Sequence, residues 1–201
     1  MLKKNACYGL LLLLALWGCS GPSSSETELS AAIDQEVQAL TTVEDHKQYL
    51  EQIEADDQGI RQGNRGAMLK LQYGEDSEEY REYVQSFMAQ DARNLLKIQA
   101  YLDQHGYPQW TEVGYQAAST PWLVVHHSSD PALRNSFFEL FYRAYRNGNI
   151  DDNQFTMYLN RTYALLHGDL LTLESPYTTQ EQIDTLVKLL DLSEELARAE
   201  E

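Results

Sequence analysis

The sequence predicts a single all-α domain, and three observations lead to this prediction. Apolar residues recur every three or four positions along nearly the whole chain, which is the spacing of one helix face. No stretch alternates polar and apolar residues, as a half-buried strand would. Hydrophobic residues make up 43% of the chain, which is enough to bury a core. We therefore expect antiparallel helical hairpins within residues 29–201.

The first 18 residues predict a lipoprotein signal peptide. Lys3 and Lys4 precede an apolar stretch over residues 6–17, which is shorter than the roughly 20 residues that cross a membrane. The stretch ends in Leu-Trp-Gly-Cys, which resembles a bacterial lipobox. That resemblance implies cleavage before Cys19 and attachment of lipid to its sulfur. An ordinary cleaved leader with an incidental cysteine is the alternative.

The residues around the predicted cleavage site indicate where in the cell the protein is anchored. Ser20 follows the cysteine, and resemblance to other bacterial lipoproteins then implies anchoring to the outer membrane. Residues 19–28 are expected to be the lipidated cysteine and a flexible polar linker. Cleavage would remove Cys7, so no free thiol would remain for a disulfide, a cysteine zinc site or a cysteine nucleophile.

The first third of the domain is predicted to contain two helices and a break. Ile33 and Val37 share one face of a first helix. A second helix is expected over residues 43–61, with Thr42 as its N-cap. Several glycines over residues 62–74 predict a loop or a broken helix.

The clearest predicted element is a long helix over residues 76–104. Gly106 and Pro108 should end it, since glycine adopts the left-handed conformation and proline blocks continuation. Residues 107–119 are then expected to form a connection.

The next segment is apolar and short. Thr120 and Pro121 have the pattern of an N-cap and first helical residue, and they open the run over residues 122–127. Six residues do not distinguish a helix from a buried strand.

The last part of the chain is expected to contain three more helices. The Asp-Pro pair at 130–131 begins one, and an aspartate at 151–152 caps the next. The Ser-Pro pair at 175–176 breaks the chain. Thr179 and Gln182 then predict a capping box for the last of the three.

Composition excludes several classes of function. The chain has 15 Lys and Arg against 31 Asp and Glu, a formal net charge of -16. Phosphate backbones and anionic lipid surfaces both require clusters of basic residues, so neither general nucleic-acid binding nor basic docking on lipid is expected. The sequence has neither a serine-hydrolase elbow nor a glycine-rich phosphate loop.

Polar side chains at positions that helical spacing assigns to the core are the main functional signal. Asp57 lies in step with apolar residues of the second helix, and Asp91 and Asn94 lie on the apolar face of the long helix. Arg161 lies along another apolar stripe. Because a lone buried carboxylate costs several kcal/mol, these acids need donors.

The possible donors come from separate stretches of sequence. They are Gln58, Arg61, Asn94, Arg161 and one histidine of the pair at 126–127. Adjacent helical residues point about 100° apart, so only one of His126 and His127 can join such a cluster. Their spacing does not decide which.

The order of these short motifs resembles an uncharacterised family of bacterial domains, mostly from secreted or lipid-anchored proteins. The resemblance covers about residues 45–192, and it implies that His127 rather than His126 belongs to the cluster. The family has no assigned activity. The matching motifs are Asp57-Gln58-x-x-Arg61, Asp91-x-x-Asn94, Gly106-Tyr107-Pro108, His126-His127 and the arginine of Tyr158-Leu159-x-Arg161.

We expect a binding module with a polar pocket, in which Arg161 holds an anion and His127 with Asp91 moves a proton. The partner would be a small ligand or an envelope protein, and Tyr107 could line the pocket.

An enzyme using the same residues and a purely structural network are the alternatives. A divalent-metal site built from Asp57, Asp91 and His127, with His105 as a further ligand, is another alternative. Its spacing matches no recognised metal motif, so no cofactor or metal is expected. A carbohydrate- or peptide-binding groove lined by the many tyrosines is a further alternative.

Overall fold

All regular structure among residues 24–200, which the computed structural model describes, is helical, and this confirms the all-α prediction. No helix in this part of the chain is long and apolar enough to cross a membrane. The predicted signal peptide and Cys19 lie outside the described residues. The helices are α1 (Ser24–Gln38), α2 (Val43–Arg61), α3 (Arg65–Tyr73), α4 (Glu78–His105), α5 (Trp110–Val113), α6 (Tyr115–His127), α7 (Pro131–Ser136), α8 (Phe138–Arg146), α9 (Asp152–His167), α10 (Thr179–Leu189) and α11 (Ser193–Glu200).

Local capping explains why α2 has its predicted bounds and why α4, predicted over residues 76–104, begins at Glu78 and ends at His105. Thr42 and Asp45 form a reciprocal capping box at the start of α2. Ser77 caps α4, and Gly106 follows it with a φ of 70°, a value that glycine adopts without strain. The segment between these helices is a broken helix, a 3-10 turn over Gln62–Asn64 followed by α3.

Three predicted boundaries are wrong, each for a local reason. α1 begins at Ser24, within the predicted linker, and its Leu29 packs against the core. Thr120 does not cap a helix: its hydroxyl donates to the Gln116 carbonyl oxygen inside α6, which starts after Gly114. The run over residues 122–127, which its length alone did not distinguish as helix or strand, is therefore helical. The last capping box uses Thr178 and Glu181, one residue earlier than predicted.

Helix α6 lies at the centre of the packing. It contacts α2 and α4 on one side and α9 on the other, while α10 packs on α9 and α11 on α8. Phe138, Phe141, Phe155 and Tyr158 form a buried aromatic cluster in the second half of the domain. The two histidines at the end of α6 can therefore reach two different surroundings.

Candidate functional site

His127 is held by a buried carboxylate at the junction of α2, α4 and α6. Its Nδ1 lies 3.1 Å from Asp57 Oδ1 and 3.0 Å from Oδ2. Asp57 is 1% exposed, whereas the His127 side chain is 22% exposed and lines a pocket of about 390 Å³. A carboxylate only accepts hydrogen bonds, so Nδ1 carries the hydrogen and Nε2 is the basic nitrogen of the neutral ring. Nε2 contacts no partner among the described residues.

Arg61 joins the two aspartates predicted to lie in the core. Its Nη1 is 2.9 Å from Asp57 Oδ1, and its Nη2 donates to both carboxylate oxygens of Asp91, at 2.7 and 2.9 Å. The guanidinium also lies over the ring of Phe87, 4.9 Å from its centroid. Asp91 lines the same pocket as His127. A continuous charged chain therefore runs from Asp91 through Arg61 and Asp57 to His127.

Two other predicted residues lie in or beside this chain. Gln58 Nε2 donates to Asp57 Oδ2 at 2.8 Å. Asn94 is fully buried one turn after Asp91, and its side-chain oxygen accepts from Gln90. The Asn94 amide nitrogen is buried without a partner among the described residues. The carboxylate that contacts His127 is Asp57 and not the predicted Asp91, whose ion-pair partner is Arg61.

The structure does not bring Arg161, His126 or Tyr107 to this cluster. His126 and Arg161 both line a second pocket, on the side of α6 that faces α9. Consecutive residues point about 100° apart, so His126 turns away from Asp57 when His127 faces it. Tyr107 packs edge-on against Phe141 and lines a separate hollow. The expectation that Arg161 and His127 share one pocket is therefore wrong.

Arg134 is the polar residue of this region that sequence analysis missed. It is 0% exposed, and its guanidinium donates to the carbonyl oxygens of Val125 and His126, both at 2.8 Å. It also donates to Tyr158 O and Thr162 Oγ1, both at 2.7 Å. Burial lowers the pKa of Arg134 to about 10, so it stays protonated at neutral pH. Arg134 thus satisfies carbonyl oxygens at the end of α6, where the two histidines lie.

His126 occupies an environment that disfavours its charged form. It stacks on Trp122, with ring centroids 5.0 Å apart, and its Nδ1 is buried without a partner among the described residues. Burial lowers the pKa of His126 to about 4, and the positive charges of Arg134 and Arg161 act in the same direction. The ring is therefore neutral at pH 7.

Acidification is expected to destabilise the protein through His126. The unfolded chain takes up this proton near pH 6.5 and the folded chain near pH 4, so the free energy of unfolding falls as pH falls through this window. Allowing for partial solvent screening, we expect a loss of about 1–2 kcal/mol. Urea unfolding at several pH values should show a shallower dependence for His126→Gln than for the wild-type chain.

The control for this experiment is His167→Gln, at the exposed end of α9. It should retain the wild-type pH dependence. Burial also lowers the pKa of His46, but this contribution is the same in all three proteins. An unchanged slope in His126→Gln would contradict the assignment of the effect to this ring.

Metal-ligand geometry is not found in the described part of the chain. No group of three or more His, Cys, Asp or Glu residues there is arranged to hold a metal ion. His105 instead lies 3.2 Å from Val37 O and packs edge-on against His46, with ring centroids 4.5 Å apart. His105 therefore belongs to a different part of the domain from Asp57 and His127.

Comparison of the chain with protein-family models, with curated proteins and with solved structures finds no match.

Proposed function

We propose that this chain is a bacterial envelope lipoprotein whose helical domain binds a small ligand in the polar pocket beside His127. The observation that carries the proposal is the pairing of His127 Nδ1 with the buried Asp57 carboxylate, while the ring lines an open pocket. A histidine that only stabilised the core would use both ring nitrogens internally. The oriented imidazole offers Nε2 to a ligand as a hydrogen-bond acceptor, or as a donor once it is protonated.

The pocket gives the ligand a defined chemistry. Asp57 and Asp91 form its acidic side with Arg61 between them, and Phe87 and Leu95 supply apolar contact. Such a mixed surface suits a small polar molecule that has a hydrogen-bond donor for His127 and an apolar portion.

The location is part of the same proposal. We infer lipid attachment at Cys19 and anchoring in the outer membrane, on its periplasmic face or at the cell surface, from the lipobox-like Leu-Trp-Gly-Cys and from Ser20. Resemblance of the motif order to secreted or lipid-anchored bacterial domains supports it. The helical domain, in which α9 and α10 pack against each other, would then present the pocket to the envelope or the medium.

Replacement of His127 by glutamine tests the binding role. Asp57 keeps Arg61 and Gln58, so we expect a loss of stability of only about 1 kcal/mol, the typical net value of one hydrogen bond. In a thermal-shift screen of small polar metabolites, compounds that stabilise the wild-type chain should lose their effect on His127→Gln. His167→Gln is the matched control and should keep every such effect. A scaffold role would be indicated if His127→Gln were as unstable as variants of Arg61 and no compound depended on His127.

An enzyme is the second candidate, favoured by the same aspartate–histidine pair. A carboxylate that fixes Nδ1 leaves Nε2 able to accept a proton from water or a substrate hydroxyl. In that case Asp57→Asn would slow turnover of a test ester more than it weakens ester binding. If Asp57→Asn reduced ester turnover and ester binding equally, the enzyme hypothesis would be contradicted and only the binding role would remain.

A further inference from the structure

The pocket on the other side of α6 has an unusual charge for this chain. Asp and Glu outnumber Lys and Arg by 31 to 15, yet none of the described residues that line this pocket is acidic. Arg161 is its one cationic lining residue at neutral pH, because His126 is uncharged there. Arg134 lies nearby and is bonded to carbonyl and hydroxyl oxygens rather than to a carboxylate. The local potential is therefore positive in a strongly acidic protein.

Several polar atoms in the wall of this pocket have no partner. The Arg161 side chain makes neither a hydrogen bond nor an ion pair with any described residue, and its Nε is buried. His126 Nδ1 and Thr156 Oγ1 are also buried without partners among these residues. Buried polar groups in folded proteins are nearly always hydrogen-bonded, so unpartnered ones gathered around one cavity indicate a missing ligand. The cavity measures about 540 Å³, within the range of small-molecule sites.

The rest of the wall is uncharged: Asn153, Asn160 and Gln182 contribute amides, and the other lining residues are apolar. Met157, Leu165 and Leu170 line it together with the polar residues. A guanidinium presents donors in a planar fork that matches a carboxylate, and one unpaired charge balances one negative charge. A phosphate dianion would leave a second charge without a partner and would not use the apolar wall.

We propose that the pocket between α6, α9 and α10 binds a small monocarboxylate with an apolar chain, and that Arg161 is its ion-pair partner. The site is separate from the His127 pocket, so either proposal can fail without the other. The carboxylate lies at Arg161, the chain lies along Met157 and Leu165, and Thr156 supplies a hydroxyl to the polar end.

Calorimetric titration of the purified protein with hexanoate tests the proposal. Hexanamide has the same chain without the charge, and inorganic phosphate has the charge without the chain. We expect hexanoate to bind at least about tenfold more tightly than either. Arg161→Gln should weaken hexanoate binding at least about tenfold, whereas Arg93→Gln, an exposed arginine on α4, should not change it. On binding, the ring resonances of His126 should shift and those of His127 should not.

A second variant protects the test against misfolding of Arg161→Gln. Leu165 is 37% exposed and lies one turn after Arg161, so Leu165→Glu places an acid beside the guanidinium without disturbing the core. It should also weaken hexanoate binding about tenfold, and Leu166→Glu, which adds the same charge outside the pocket, should not. The proposal is overturned if hexanoate does not bind, if hexanamide or phosphate binds as tightly, or if neither pocket variant weakens binding.

Discussion

Replacing Arg134 by methionine is expected to lower the free energy of unfolding by about 3–5 kcal/mol. Methionine has a similar length but no donor, so the change removes hydrogen bonds without opening a large cavity. The carbonyl oxygens of Val125, His126 and Tyr158 each lose a donor inside the protein. Val125 O and Tyr158 O each keep another donor, Ser128 N–H and the Thr162 hydroxyl. The cost therefore comes from losing several bonds to a charged donor, each worth about 1.5–3 kcal/mol, and water cannot replace a side chain that is 0% exposed.

Urea unfolding of three proteins checks this prediction. Arg146→Met, at the exposed end of α8, is the matched control and should change stability by less than about 0.5 kcal/mol. Arg134→Lys keeps the charge but loses the planar fork, so it should fall between the wild-type chain and Arg134→Met. If Arg134→Met and Arg146→Met were equally stable, Arg134 would not hold α6 against α9.

The same rule that identified Asp57 and Asp91 could have identified Arg134. A polar residue in step with apolar ones on a helix lies towards the core, and Arg134 precedes Phe138 by four residues and Phe141 by seven. The break between α7 and α8 at Phe137 interrupts the helix without changing which face is buried. The signal for a buried Arg134 is therefore present in the sequence.

The separation of Arg161 from His127 could not be predicted in the same way. Helical spacing tells which side chains face inwards on one helix, but it does not tell which neighbour covers each face. α6 is covered by α2 and α4 on one side and by α9 on another, so two adjacent histidines both contact protein interior. Local signals behave differently: Thr42 with Asp45 sets the start of α2 through contacts four residues apart at most, and the sequence shows these directly.

Replacing Arg61 by methionine is expected to lower the free energy of unfolding by about 2–4 kcal/mol, because it leaves the buried Asp57 carboxylate without a countercharge. His127 and Gln58 remain, but hydrogen bonds alone compensate a buried charge less well than a guanidinium does. The surface pair of Lys47 and Glu51, 4.0 Å apart, supplies the control: Lys47→Met should cost less than about 0.5 kcal/mol.

A double-mutant cycle separates the charge effect from lost packing over Phe87. Asp57→Asn removes the charge that Arg61 compensates, so it should be less harmful in the Arg61→Met protein than in the wild-type chain. We expect a coupling energy of about 1–3 kcal/mol between Arg61 and Asp57. Additive losses would mean that Arg61 acts through its stacking on Phe87, and the charged chain would then not explain how Asp57 is kept buried beside His127. Strong coupling, together with a loss of only about 1 kcal/mol in His127→Gln, would assign stability to the arginine and leave the histidine available to a ligand.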